Sequence, residues 1–82
     1  MSVEYYRKQI IDLRARSDKE KEAKKKDNER YANLIKNASS ASSKATYRKN
    51  KVDRAAAHDR AIESLKRQIE NAKANLAKAR KK

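Results

Sequence analysis

The 82 residues contain no glycine, no proline, no cysteine, no tryptophan and no phenylalanine. Tight turns, strand ends and phosphate-cradling loops depend on glycine and proline, so their absence argues against a β-rich domain and a glycine-rich nucleotide loop. Without cysteine there is no disulfide framework and no thiolate metal site. No apolar run approaches the roughly 20 residues of a membrane span. The segment Met1 to Tyr6 also lacks the charge-then-apolar order of a signal peptide, and the cytoplasm is the expected compartment.

Large apolar residues are scarce as well. Twelve aliphatic side chains and four tyrosines, Tyr5, Tyr6, Tyr31 and Tyr47, are the whole stock, against 43% charged residues and a mean hydropathy of −1.30. Such a chain is too small and too polar to build a broad core. What it has in abundance is Ala, Lys, Arg, Glu, Leu and Gln, the good helix formers. Composition therefore indicates an all-α chain held by a narrow seam, helped by self-association or by a larger protein to which it belongs.

A seam is traceable from Val3 in alternating steps of three and four: Val3, Tyr6, Ile10, Leu13, Ser17, Glu20, Lys24, Asp27, Tyr31, Leu34, Ala38. This is a heptad rhythm, apolar at its ends and polar from Ser17 to Asp27. It stops at the polar stretch Asn37 to Ser43. Asn37 suits the left-handed conformation that ends helices, and Ser42 or Ser43 suits an N-cap. A second seam reads His58, Ile62, Leu65, Ile69, Ala72, Leu76, Ala79, with a weaker extension through Ala45, Arg48, Val52 and Ala55. Joining its two parts requires a slip near Ala55 to Asp59.

Folding the chain about Ser39 and Ser40 sets the apolar end of one seam against the apolar end of the other. Facing residue numbers then total about 79, with Val3 opposite Leu76 and Ile10 opposite Ile69. The expected architecture is a two-helix antiparallel coiled-coil hairpin: helix 1 over 3–37, a serine-rich turn over 38–42 and helix 2 over 43–81. Its seam comprises Val3, Tyr6, Ile10, Leu13, Leu34, Val52, Ile62, Leu65, Ile69 and Leu76. Tyr5, Ile11 and Ile35 fall off it and are candidates for a partner surface. A second hairpin packing alongside, giving a four-helix bundle, would cover the two isoleucines.

Chemical sites find little support. His58 is the only histidine, and its neighbours Asp53, Asp59 and Glu63 read as surface acids. A metal centre needs at least three converging ligands. Carboxylates at helical spacing, Asp18/Glu22 and Asp59/Glu63, need a cleft before they act as acid and base, and a two-helix rod offers none. No enzymatic activity, cofactor, metal or small-molecule substrate is expected. The net charge of +13 attracts nucleic acid, anionic membranes or acidic proteins. It is uneven, +4 over residues 1–41 and +9 over 42–82. Cations interleaved with acids along helix 1 are the pattern of a solvated coiled-coil face.

The opening Tyr5-Tyr6-Arg7-Lys8-Gln9-Ile10, the Ser/Ala/Thr-rich tip and the Ala/Lys-rich return arm resemble the N-terminal helical hairpins of bacterial signalling and defence proteins, which often precede TIR or other effector domains. That resemblance spans the chain and implies a self-association module upstream of an effector. In length and architecture the chain is also similar to the Trp-x-Gly (WXG-type) hairpins exported by type VII secretion. It departs from their signature: Asn37 to Ser43 holds neither Trp nor Gly, and Tyr47 is followed four residues on by Lys51 where an acid belongs. The expected function is protein–protein association, with a copy of itself or a partner helix. Nucleic-acid binding and a type VII secretion substrate or accessory role are the alternatives.

Overall fold

A computed structural model describes residues 2–81, which form two long helices, α1 (Val3–Asn37) and α2 (Ala41–Arg80). They pack antiparallel into a rod measuring 64 × 14 × 11 Å. The protein is an all-α helical hairpin.

Local chemistry sets the ends. Ser2 caps α1: its Oγ accepts from the Tyr5 amide at 3.2 Å, and Glu4 sits in the positively polarised first turn. Helix α1 stops without a left-handed residue, and no described residue has positive φ. Ala38 turns to extended backbone (φ −69°, ψ 134°) while its amide still donates to the Ile35 carbonyl at 3.4 Å. Ser40, not Ser42 or Ser43, caps α2 by accepting from the Ser43 amide at 3.1 Å. The turn is thus shorter than the expected 38–42 and α2 begins at Ala41, because Ser40, in extended backbone (φ −121°, ψ 152°), is the serine whose Oγ reaches the free Ser43 amide. Lys78 and Arg80 lie in the last turn of α2, where cations favour the dipole.

Burial defines the seam. On α1 the buried or half-buried line is Val3, Tyr6, Ile10, Leu13, Ser17, Glu20, Lys24, Asp27, Tyr31, Ile35 and Ala38. On α2 it is Lys44, Tyr47, Lys51, Ala55, His58, Ile62, Leu65, Ile69, Ala72, Leu76 and Ala79. Ala23 and Asn28 flank the first line, and Asn50, Ala56, Ala61 and Ser64 the second. The two lines mirror one another, each residue of α1 having a counterpart on α2 such that the numbers total 82.

That mirror corrects the register of about 79. Ile10 lies level with Ala72, Leu13 with Ile69, and Tyr6 with Leu76. A large side chain at Ile10 meets a small one at Ala72, the most buried of the described residues at 2% exposure. Ile10, Leu13 and Ala72 form the core, with Leu65, Ile69 and Leu76 packed against it. The apolar contacts are concentrated near the open end of the hairpin, its base.

Two seam assignments move. Leu34 is exposed and half-buried Ile35 replaces it; Val52 is 67% exposed, and Ala45 and Arg48 are exposed too. Lys44, Tyr47 and Lys51 occupy the line instead. The reason is helical phase. Both seams take two successive steps of four, at Asp27–Tyr31–Ile35 and at Tyr47–Lys51–Ala55, and these face each other. A 3.6-residue helix drifts against a strict seven-residue repeat, and here both helices absorb the drift at one level. The rhythm from Ala55 to Asp59 needs no slip.

Candidate functional site

Two regions carry chemistry beyond packing: a charged cluster midway along the rod and a groove at its base.

The cluster is built on the polar part of the seam. Glu20, Lys24 and Asp27 lie on one face of α1 at heptad spacing, opposite Arg54, His58 and Asp59 of α2. His58 Nδ1 stands 2.5 Å from a Glu20 oxygen and Nε2 stands 2.6 Å from Asp27 Oδ2. The same Asp27 oxygen accepts from Arg54 Nε at 2.9 Å, and Lys24 Nζ donates to Asp59 at 2.6 Å. The His58 and Asp27 side chains are only 15% and 16% exposed.

A neutral imidazole has one N–H, so it cannot donate to both carboxylates; the imidazolium can. Hydrogen bonds to Asp27 and then Glu20 raise the His58 pKa above 6.5, outweighing burial. In return, His58 and Arg54 hold Asp27 below 3.8, and Asp27 raises Arg54 further. The arrangement alternates sign across the helix interface, which offsets the desolvation of each member. Both ring nitrogens are engaged, and no group of three His, Cys, Asp or Glu able to hold a metal ion occurs among the described residues. The cluster fastens the two helices where apolar residues run out.

Its partners for His58 come from the opposite helix, not from Asp53 or Glu63. The signal was two facing seams of opposite charge, visible only once the register is known.

At the base, a groove is lined by Arg7, Ile10, Ile11, Arg14, Lys73 and Leu76. Ile10 and Leu76 belong to the packed seam, whereas Ile11 is 67% exposed. Both helices contribute, so the groove exists only in the folded hairpin. Tyr5, 48% exposed, stacks edge-to-face on Tyr6 with centroids 5.2 Å apart. Ile11 is six positions further on, about 240° around a 3.6-residue helix, so the two occupy opposite flanks of the rod. Ile35 is half-buried on the seam near the tip. Tyr5, Ile11 and Ile35 therefore do not form one surface.

At the other end of the seam, Tyr31 is buried under the Arg30 guanidinium, whose carbon lies 5.1 Å from the ring centroid. No described helix is long and apolar enough to cross a membrane. No protein-family model, curated protein or solved structure matches the chain.

Proposed function

We propose that the hairpin is a non-enzymatic association module that binds another helical surface through its base. The observation that carries this is Ile11: a large aliphatic side chain, 67% exposed, set in a groove whose apolar lining is continuous with the core. A chain with so few apolar residues gains nothing in folding by exposing one there, whereas a partner covering it would recover the burial energy. The elongated rod, with its apolar contacts at one end and a charged fastening in the middle, fits a part that completes its packing in an assembly.

A second reading draws on the net charge of +13, concentrated on residues 42–82. Binding to nucleic acid through phosphates alone would be steeply salt-dependent. Light scattering across concentration separates the two. Mass above one chain that persists after nuclease treatment supports association. A chain that stays monomeric at high concentration both alone and mixed with helical partner peptides, yet retards DNA or RNA with a steep salt slope, contradicts it.

A further inference from the structure

We infer that the base groove takes an acidic amphipathic helix from a partner, and not a second copy of this chain. This rests on the association reading and names its partner. The apolar lining of the groove is Ile10, Ile11 and Leu76, and its remaining lining, Arg7, Arg14 and Lys73, is entirely cationic. Arg7 and Arg14 are two helical turns apart on one face, about 10 Å along the axis, with Ile11 between them. Neither arginine has an ion-pair partner among the described residues. Among the described residues Lys73 reaches only Glu70, at 3.5 Å and exposed. On the same row of α1 the nearest acids, Glu4 and Asp18, lie beyond the groove at its two ends.

Two unpaired arginines bracketing an exposed isoleucine match a helix with apolar residues at i, i+3 or i+4, and carboxylates on its flanks. A second copy brings the same three cations and another +13 to the contact. Like charges within a Debye length of roughly 8 Å oppose that pairing. Helix-in-groove docking by an acidic segment satisfies both the apolar and the cationic lining.

The test titrates the full chain into a labelled synthetic helix with leucines on one face and glutamates on both flanks. Two controls replace its glutamates by lysines or its leucines by serines. The leucine/glutamate helix is expected to bind and both controls to bind at least about tenfold more weakly. Ile11→Asp should remove about tenfold or more of that affinity, while Val52→Asp, equally exposed at 67%, should leave it unchanged. Arg7→Glu with Arg14→Glu should reverse the preference toward the lysine-flanked helix. Circular dichroism of each variant checks that the hairpin is intact. Equal binding of the serine/glutamate control, or equal loss on Val52→Asp, overturns the inference in favour of general polyanion attraction. No peptide binding, together with a dimer that Ile11→Asp dissociates, overturns it in favour of a second copy and leaves the association reading standing. No peptide binding by a strict monomer defeats both.

Discussion

His58 reaches two carboxylates on the opposite helix at once, Glu20 through Nδ1 at 2.5 Å and Asp27 through Nε2 at 2.6 Å. Such a bridge makes the hairpin's middle depend on one proton. The apolar base does not share that dependence, because Ile10, Leu13 and Ala72 carry no titrating group.

The pH dependence follows from the direction of the shifts. The folded-state pKa of His58 lies above its ordinary 6.5, so its contribution is complete below 6.5 and lost as pH rises through the raised value. The folded-state pKa of Asp27 lies below 3.8, so its contribution is present above 3.8 and lost as pH falls through the lowered value. Thermal melts followed by circular dichroism should show a maximum between those limits, with an alkaline decline that His58→Gln abolishes. A histidine resonance titrating below 6.5 in the folded chain contradicts the bridge.

Packing energy should be concentrated at the base. Leu13 is 4% exposed, and truncating a buried leucine to alanine costs about 2–5 kcal/mol. Val52, at 67% exposure, should tolerate Val52→Ala within about 0.5 kcal/mol, since alanine is also the better helix former. Parallel urea melts of the two variants check this. A Val52→Ala loss as large as that of Leu13→Ala would restore Val52 to the seam.

The turn depends on Ser40. Its Oγ accepts from the Ser43 amide at 3.1 Å and donates to Ser43 Oγ at 2.9 Å. Replacing an N-cap serine by alanine costs about 0.5–2 kcal/mol. Ser40→Ala should lower stability by that amount, while Ser42→Ala should change it little because Ser42 is already inside α2. Equal effects of the two substitutions in urea melts would contradict the assigned cap.

Much of the hairpin was legible in the amino-acid order. Ten of the eleven α1 seam positions, from Val3 to Tyr31 and then Ala38, follow from three-and-four spacing alone. So does α2 from His58 to Ala79. Leu34 and Val52 misled because an apolar side chain attracts a seam assignment wherever it falls. Near the tip, packing is thin and helical phase decides instead, placing half-buried Lys44 and Lys51 on the seam line. The charged cluster was hidden by a three-residue error in register. With totals near 79, Lys24 meets Ala55; at 82 it lies level with His58, and acids on one seam find cations on the other.

Both candidate regions require that register. The His58 bridge and the groove joining Arg7, Ile11 and Arg14 to Lys73 each depend on how far α2 is displaced along α1. The chain has no native cysteine, so disulfide trapping reads the displacement directly. Ser17→Cys combined with Leu65→Cys should oxidise rapidly within one chain, because 17 and 65 total 82. Ser17→Cys combined with Ile62→Cys, matching a total of 79, should oxidise slowly. Preferential closure of the second pair, or cross-links forming only between chains, would contradict the structure on which both sites rest.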